Sequence, residues 1–309
     1  MQKVIVTGGA GFIGSNLVDE LIRRGIEVTI IDNFSSGQRK NINPKAILYE
    51  IDLSEISVKA LTKILEGHDI VFHTAARARV QPSIKDPIEF NKQNVDATLN
   101  LLVAAKDANI KRVVYSASSS AYGNTNIFPT PETHPVNPLS PYGLQKLIGE
   151  QYCKVFSEVY GLDTVSLRYF NVYGKNINFE GAYKLVLAYF IEQTKAGQPL
   201  TITNTGEQRR DFTWVNDVVE ANILAATHPD KLNGEVFNIG NGNNMSINEV
   251  ADLFGGKKQY GKQVIEPFET LADNTKAKQV LGWSPKGNLV QWLKEYIKEN
   301  LKGRAIIES

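Results

Sequence analysis

The stretch Thr7-Gly8-Gly9-Ala10-Gly11-Phe12-Ile13-Gly14 decides the fold of this chain. It follows a short apolar run, Lys3 to Thr7, and precedes a segment with the apolar spacing of a helix. Glycines at every third position allow a tight turn, a close approach of the backbone to a diphosphate and close packing of helix on strand. The first N–H groups of such a helix attract phosphate charge. The stretch therefore predicts a strand–turn–helix unit that binds a diphosphate.

A second apolar run, Val28 to Asp32, ends in a carboxylate eighteen residues after Gly14. A carboxylate at this place accepts hydrogen bonds from ribose hydroxyls and repels a 2′-phosphate, which favours NAD over NADP. Arg39 and Lys40 follow closely and leave NADP as an alternative. A structural turn without a ligand is the other interpretation, and the strand–helix context disfavours it.

Apolar runs alternate with helical patterns as far as Phe170. Further strands are predicted at 46–51, 70–72, 112–116 and 164–169, and helices at 57–65, 94–108 and 139–160. Nearly continuous apolar strands are typical of a parallel sheet covered on both faces. We therefore predict an α/β fold, a doubly wound parallel (Rossmann) sheet in residues 1–170 to which later segments can return. Shorter, irregular elements follow, which predicts a smaller mixed α/β substrate-binding domain over 171–309.

Composition excludes several classes of protein. The 34 Lys and Arg residues balance 33 Asp and Glu residues, which argues against a nucleic-acid or membrane-surface partner. A single cysteine, Cys153, excludes an internal disulfide, and with only four histidines it argues against a metal site. No apolar stretch has the length of a transmembrane helix, and the first strand leaves no room for a signal peptide. We therefore expect a cytoplasmic protein.

Tyr142 and Lys146 lie four residues apart on a predicted helix and so share one of its faces. A nearby ammonium favours the phenolate of a tyrosine, whose pKa of ~10 otherwise makes it a poor base. A tyrosine and a lysine at this spacing are often an exposed helix pair without a function. Here their position in a predicted dinucleotide-binding fold favours the functional interpretation. The serine-rich run Ser116 to Ser120 ends the preceding strand, at the edge where ligands bind. These residues predict a site for proton abstraction.

In their order, these motifs resemble the extended short-chain dehydrogenase/reductase family. The landmarks are TGGAGFIG, Asp32, HTAA at 73–76, SASSSAYG at 116–123, YGLQK at 142–146 and RYFN at 168–171. The resemblance covers nearly the whole chain. It is nearest to the UDP-hexose 4-epimerases, and among them to those acting on UDP-N-acetylglucosamine. It implies bound NAD, a UDP-sugar substrate and a homodimer formed through helices 94–108 and 139–160.

The resemblance also implies roles for the residues that match the family's motifs. Tyr142 would be the base, Lys146 would contact the nicotinamide ribose, and Ser118 would be the catalytic hydroxyl. The implied cofactor-binding residues are Gly8, Gly11, Phe12, Ile13, Gly14, Asp32, Asn33, Asp52, Leu53, Ala75, Ala76, Asn94, Tyr142 and Lys146. The implied substrate-binding residues are Ser118, Ser119, Asn171, Ala182, Tyr183, Leu187, Arg210 and Thr270. Among these, Asn171 and Arg210 would hold the diphosphate, and residues 181–187 the uridine.

A few positions set the expected substrate. Thr270 matches the place where epimerases restricted to glucose and galactose carry a large aromatic residue, and its small side chain leaves volume for an N-acetyl group. Gln263 stands where the family carries a diphosphate-binding arginine, and Lys262 cannot replace its bidentate contact. Ser119 and Ser120 replace the acidic pair of the 4,6-dehydratases, which argues against dehydration.

We therefore expect an NAD-dependent UDP-sugar 4-epimerase that interconverts UDP-N-acetylglucosamine and UDP-N-acetylgalactosamine, with UDP-glucose and UDP-galactose as further substrates. The reaction would pass through a transient 4-keto sugar. A UDP-glucuronate 4-epimerase or decarboxylase of the same fold is an alternative. It would need a cation for the C6 carboxylate, and Arg77 and Arg79 are the only candidates. A non-catalytic protein that binds NAD or a nucleotide sugar is a second alternative, which would not need Tyr142, Lys146 and Ser118.

Overall fold

The computed structural model describes residues 1–179 and 185–300. Its strands are β1 Lys3–Thr7, β2 Glu27–Asp32, β3 Ile47–Glu50, β4 Ile70–His73, β5 Arg112–Ser118, β6 Thr164–Tyr169, β7 Val172–Tyr173, β8 Leu200–Ile202, β9 Arg209–Asp211, β10 Thr213–Trp214, β11 Glu235–Ile239, β12 Asn244–Ser246 and β13 Lys258–Tyr260. Its helices are α1 Phe12–Arg23, α2 Val58–Leu65, α3 Val80–Lys85, α4 Pro87–Asn91, α5 Ala97–Asp107, α6 Pro141–Tyr160, α7 Val186–Ala196, α8 Val215–Thr227, α9 Ile247–Asp252, α10 Thr275–Leu281 and α11 Leu289–Asn300. None of these helices combines the length and the hydropathy needed to cross a bilayer.

The main sheet has seven strands in the order β11-β6-β5-β4-β1-β2-β3, and every neighbouring pair is parallel. From β1 the chain adds β2 and β3 on one side and then β4, β5 and β6 on the other. The loops after β1 and β4 therefore leave the sheet in opposite directions and open a crevice at its carboxyl edge. This confirms the predicted doubly wound α/β fold.

The seventh strand of the sheet comes from beyond the predicted boundary at residue 170. In the pairing of β11 with β6, Phe237 lies opposite Leu167. The helix before it, α8, packs on α1, and the fully buried Trp283 donates a hydrogen bond from Nε1 to the carbonyl of Asp217 in α8 (2.8 Å). Residue 170 therefore marks where the chain first leaves the main sheet, and α8, β11 and α10 return to it. The edge of β6 would otherwise expose unpaired backbone groups.

Hydrophobic residues form three large clusters. Val4 and Val6 of β1 face one cluster under α1 and α8, whereas Ile5 faces another under α2, α5 and α6. This alternation places helices on both faces of the sheet. The third cluster, which includes Phe190 and Leu293, lies among α7, α9, α11 and the short pairs β7–β10, β8–β13 and β9–β12. It is the core of the smaller part of the molecule.

Two long helices were predicted, and one of them is interrupted. Helix α6 begins where Ser140 Oγ accepts the N–H of Gly143 (3.1 Å), and it ends at Gly161 in the left-handed conformation. The predicted helix 94–108 instead starts with a π-helical turn, Lys92–Asp96, before α5. The turn contains Asn94, whose side chain is buried and forms hydrogen bonds with Arg77 and Gln145. A single π-helical turn changes the direction in which a side chain leaves the helix, compared with a regular α-helix.

His73 ends β4 and is buried. Its Nδ1 lies 2.7 Å from Thr7 Oγ1, and its Nε2 lies 3.0 Å from Thr98 Oγ1. Burial, with a smaller effect from the charge of Lys146, lowers its pKa to about 3. A histidine in the unfolded chain has a pKa of ~6.5. Between these two pKa values the unfolded state binds a proton that the folded state does not, so stability falls as pH falls.

We expect His73→Gln to remove this dependence. Below pH 6 the free energy of unfolding of the unsubstituted protein should fall by about 1.4 kcal/mol per pH unit more steeply than that of H73Q. Urea unfolding at pH 8, 6, 5 and 4 measures both slopes. Above pH 7 the two curves should run parallel, and parallel curves below pH 6 as well would contradict the prediction.

Candidate active site

The glycine loop after β1 is packed so closely that Gly8 and Gly14 have no room for a side chain. Gly8 has a φ of +71°, and a Cβ there would lie 2.7 Å from the backbone of Ala75. A Cβ on Gly14 would lie 2.2 Å from the carbonyl oxygen of Gly8, and one on Gly11 would lie 3.1 Å from the same oxygen. The first N–H groups of α1 therefore stay exposed to the crevice at the edge of the sheet. This cradle fits the diphosphate of a dinucleotide.

Asp32 ends β2 beside the glycine loop. Its Oδ2 accepts the N–H of Ala10 (2.9 Å), and its Oδ1 accepts the N–H of Phe34 (2.8 Å). Each oxygen keeps a lone pair for a ribose hydroxyl. Arg39, one of the two cations that left NADP open, binds both oxygens of Glu50 (2.8 and 2.7 Å), and its guanidinium lies 4.2 Å above the centre of the Phe34 ring. Its guanidinium is thus already paired with a carboxylate, which agrees with NAD as the cofactor.

The residues predicted around the adenine lie together at the ends of β2 and β3. Asp52 accepts hydrogen bonds from Asn33 Nδ2 (3.0 Å), Gln93 Nε2 (2.8 Å) and the N–H of Ser54 (2.8 Å). Burial opposes ionisation of this carboxyl, but the hydrogen bonds outweigh it and lower its pKa to about 2. Leu53 is buried beside it. Together these side chains form a polar surface with one apolar residue, Leu53, and such a surface is compatible with binding of an adenine ring.

The loop after β4 lines the other half of the crevice. Ala75 and Ala76 are half-buried there. Asn94 accepts the N–H of Arg77 (2.8 Å) and donates to the carbonyl of Arg77 (3.0 Å) and to Gln145 Oε1 (3.0 Å). Asn94 therefore ties this loop to α6.

Lys146 is buried in α6, with its side chain directed to β5. Its Nζ donates to the carbonyl of Ser116 (2.8 Å) and lies 4.9 Å from the centre of the Tyr115 ring. Burial lowers its pKa to about 7. An ammonium has two further hydrogens to donate, which the hydroxyls of the nicotinamide ribose can accept. The residues present thus fit NAD along the whole crevice.

Tyr142 lies in the first turn of α6, where its N–H donates to Ser83 Oγ of α3 (3.1 Å). Burial raises the pKa of its phenol, while the Ser118 hydroxyl and the charge of Arg79 act in the opposite direction. Ser118 ends β5, and its Oγ also donates to Ser120 Oγ (3.1 Å). Tyr142, Ser118 and Lys146 thus meet at the carboxyl edge of the sheet. A phenol beside a hydroxyl and a cation can take a proton from a substrate hydroxyl.

Ser119 is half-buried and starts a 3₁₀ turn, 119–121, directly after Ser118. The hydroxyl groups predicted for substrate contact therefore follow one another at the end of β5.

Two predicted substrate residues from distant segments, Asn171 and Thr270, also meet. Asn171 Nδ2 donates to Thr270 Oγ1 (3.2 Å) and to the carbonyl of Asp211 (3.1 Å). Thr270 Oγ1 also accepts the N–H of Asp211 (3.3 Å). Because both partners hold its hydroxyl, the small side chain of Thr270 has a defined orientation.

Sequence reasoning missed the group that holds this arrangement together. The fully buried carboxylate of Asp211 accepts the N–H groups of Asn241 (2.7 Å), Gly242 (3.0 Å) and Ala272 (3.0 Å). Burial raises its pKa to about 6 despite these bonds. Asp211 fixes the segment after Thr270 to β9. Its partners lie at least thirty residues away in sequence, so no local pattern could have indicated it.

Arg210, predicted to bind the diphosphate, is buried and already paired. Its Nη2 donates to Glu266 Oε2 (2.6 Å), and its Nη1 donates to the carbonyl of Phe268 (3.2 Å). Glu266 also accepts Asn204 Nδ2 (2.7 Å). The carboxylate lies three residues after Gln263, at the place where the sequence departs from the family pattern. No feature of the sequence indicated that it would pair with Arg210.

The remaining predicted residues have other surroundings. Leu187 is 2% exposed and packs in the core of the smaller part, and its contact with the uridine stays a prediction. Phe12 packs partly against the same core, and Ile13 packs against the core under α1 and α8. Ala182 and Tyr183 lie outside the described residues.

Comparisons with known proteins agree with this geometry. The model of the NAD dependent epimerase/dehydratase family matches residues 4–240. A protein of Lactobacillus helveticus named UDP-glucose 4-epimerase is 35% identical over 309 residues, which cover 92% of each chain. The structure of a Thermotoga maritima UDP-glucose 4-epimerase with UDP-glucose superposes with a TM-score of 0.90 at 38% identity, covering 97% of this chain and 100% of that one.

A second solved structure is equally similar. It is a UDP-N-acetylglucosamine 4-epimerase from Methanobrevibacter ruminantium in complex with UDP-N-acetylmuramic acid, with a TM-score of 0.90, 37% identity and coverage of 98% and 99%. The family match spans most of the chain and confirms the resemblance seen in the motifs. This protein belongs to the NAD dependent epimerase/dehydratase family, within the extended short-chain dehydrogenases/reductases, and NAD is its cofactor.

Proposed function

We propose that this protein is a UDP-sugar 4-epimerase that interconverts UDP-N-acetylglucosamine and UDP-N-acetylgalactosamine and also accepts UDP-glucose and UDP-galactose. The observation that carries the proposal is the meeting of Tyr142, Ser118 and Lys146 at the edge of the sheet. A non-catalytic protein that binds NAD or a nucleotide sugar would not need this set. The names of the similar proteins support the reaction.

In the proposed reaction Tyr142, as phenolate, takes the proton of the C4 hydroxyl, with Ser118 sharing a hydrogen bond to the same oxygen. The charge of Lys146, one helical turn away, favours the phenolate. When bound, NAD supplies both the acceptor for the C4 hydride and the donor from which the hydride returns to the sugar. The 4-keto sugar then turns its other face, and Tyr142 returns the proton to the C4 oxygen.

The sugar must be able to turn while the rest of the substrate stays in place. Asn171 and Arg210 would hold the diphosphate, which requires the pair between Arg210 and Glu266 to open or to share its donors. Asp211 keeps the segment around Thr270 rigid. Anchoring at the diphosphate leaves the linkage to the sugar free to rotate.

We expect Tyr142→Phe to lower kcat by a factor of about 10² to 10⁴, because it removes the group that takes the C4 proton. The matched control is Tyr152→Phe on the same helix, whose ring packs in the core under α6 and should leave kcat within a factor of about two. Proton NMR of the anomeric region measures turnover on UDP-N-acetylglucosamine and UDP-glucose separately. Full activity of Y142F would contradict the assignment of Tyr142 as the base. Bound NAD without turnover in the unsubstituted protein would favour the non-catalytic alternative.

Thr270 is proposed to admit the N-acetyl group. We expect Thr270→Tyr to reduce kcat/KM for UDP-N-acetylglucosamine at least ten times more than that for UDP-glucose, because a filled pocket cannot receive the added atoms. Thr270→Ser keeps the hydroxyl that Asn171 and Asp211 hold, and should preserve the ratio. Equal losses on both substrates in T270Y would show that Thr270 does not border the sugar.

We also propose that the protein is a homodimer through α5 and α6. Helix α6 exposes a row of large apolar side chains, with Val155 44%, Val159 65% and Tyr160 54% exposed. Contiguous apolar surface of this kind favours association with a second copy. We expect Val159→Glu to convert the dimer into monomers in size-exclusion chromatography with light scattering. Val280→Glu, at an exposed position on α10, should stay dimeric, and a V159E dimer would contradict the proposed interface.

A further inference from the structure

Two polar side chains lie next to each other in the main sheet, one residue before strands β6 and β11 end. Asn238 of β11 lies opposite Arg168 of β6 in the strand register, and both residues are buried. The neighbours of Asn238 in its strand, Phe237 and Ile239, are fully buried apolar residues. A buried amide destabilises a strand unless its polar atoms are hydrogen-bonded. We therefore expect Asn238 to hold specific partners.

The side-chain amide of Asn238 joins three segments of the chain. Its Oδ1 accepts the hydroxyl of Tyr122 (2.8 Å). Its Nδ2 donates to the carbonyl of Thr130 (2.9 Å) and to that of Asp273 (3.1 Å). Both hydrogens of Nδ2 are thus used, and the amide cannot rotate without losing hydrogen bonds. The hydroxyl of Tyr122 therefore helps to fix the orientation in which Asn238 holds the other two segments.

Two of these partners belong to the strand-like contact that follows Thr270. The N–H of Thr130 donates to the carbonyl of Leu271 (2.8 Å), and the carbonyl of Thr130 accepts the N–H of Asp273 (3.0 Å). The amide of Asn238 binds the outer carbonyls of this contact. The position of the backbone beside Thr270 therefore depends on Asn238.

Tyr122 closes the 3₁₀ turn that follows Ser118, the proposed catalytic hydroxyl. The first turn of α6 packs directly on this turn, because a Cβ on Gly143 would lie 2.6 Å from the carbonyl oxygen of Ser120. Gly143 immediately follows Tyr142, the proposed base. The turn that ends at Tyr122 thus carries one proposed catalytic group and supports the helix that carries the other.

The ring of Tyr122 is held as well as its hydroxyl. The guanidinium of Arg168 lies over the ring, 4.6 Å from its centre, and it is paired with Glu150 of α6 through two hydrogen bonds (2.8 and 2.6 Å). Phe170 and Ala272 pack against the same ring. These contacts leave Tyr122 2% exposed and hold the ring where its hydroxyl reaches Asn238.

We propose that Tyr122 is a positioning residue, which fixes the turn after Ser118 relative to the segment around Thr270. Asn238 connects the two. The inference rests on the proposed 4-epimerase function and extends it, because the sugar must present C4 to the catalytic groups with either face. Tyr122 lies beneath the site, so it acts on the reaction through the groups that it positions.

The test is Tyr122→Phe, which removes the hydroxyl and keeps the ring. We expect kcat for epimerisation to fall about tenfold or more, because displacements of about 1 Å misplace the reacting groups. KM should change by no more than about a factor of two, since the diphosphate is proposed to bind at Arg210, whose partner is Glu266. Proton NMR measures both constants on UDP-N-acetylglucosamine and on UDP-glucose.

Tyr169→Phe is the matched control. Tyr169 is also a buried tyrosine, and its hydroxyl also bonds to an asparagine amide, that of Asn222 (3.0 Å). In urea unfolding Y169F should therefore lose about as much stability as Y122F. Because this bond does not lead to the segment around Thr270, Y169F should keep kcat within a factor of about two.

A double-mutant cycle tests whether the effect passes through Asn238. Asn238→Leu alone should lower kcat at least as much as Y122F, and adding Y122F to N238L should lower it by less than about a factor of two, because the shared bond is already lost. Hydrogen exchange of peptides that contain the N–H of Asp273 should become faster in Y122F and stay unchanged in Y169F. Should N238L fail to fold, Y122F and this exchange still decide.

Three outcomes would overturn the inference. The first is an unchanged kcat in Y122F. The second is an equal fall of kcat in Y122F and Y169F, which would show a general effect of lost stability. The third is unchanged exchange at Asp273 in Y122F, which would show that Tyr122 does not hold this segment. Absence of any epimer from the unsubstituted protein would instead count against the proposed function, and the exchange at Asp273 would then decide the role of Tyr122.

Discussion

The rest of the structure depends on a steric constraint where Gly8, Gly14 and the backbone of Ala75 meet. Added Cβ atoms would lie 2.7 Å from Ala75 and 2.2 Å from the Gly8 carbonyl, so only glycines let α1 begin this close to β1 and β4. The close approach opens the start of α1 to the crevice between the loops after β1 and β4. Asp32, Asn94, Lys146 and the proposed catalytic tyrosine all lie along that crevice.

Three cationic side chains near the proposed substrate site differ in the partners that the protein provides for them. Arg210 is paired with Glu266. Within residues 1–179 and 185–300 Lys146 has no carboxylate partner; it meets a backbone carbonyl and an aromatic face, and burial lowers its pKa to about 7. Arg79 meets no acceptor among the described residues. Cations without a counterion in a crevice favour negative charge, such as a phenolate on Tyr142.

The sequence predicted the main sheet well, and it placed the local motifs of the site more surely than the contacts between distant segments. Motifs such as 7–14 and 142–146 are local, so spacing alone places their residues on one loop or one helical face. The π-helical turn at Lys92–Asp96 was missed because it depends on bonds of Asn94 to a distant loop and to α6. The burial of Leu187 was also missed, because the position of a residue in a motif says nothing about its burial.

The sequence by itself determined the strand–helix alternation, the glycine loop, the carboxylate at Asp32 and the shared face of Tyr142 and Lys146. Each of these follows from neighbours a few residues apart. Only the tertiary structure decided that β11 returns to the sheet, that Arg210 meets Glu266 across 56 positions, and that Arg77 lies near Glu89. Charge pairing depends on which distant side chains the fold brings within a few ångströms, and no local pattern encodes that distance.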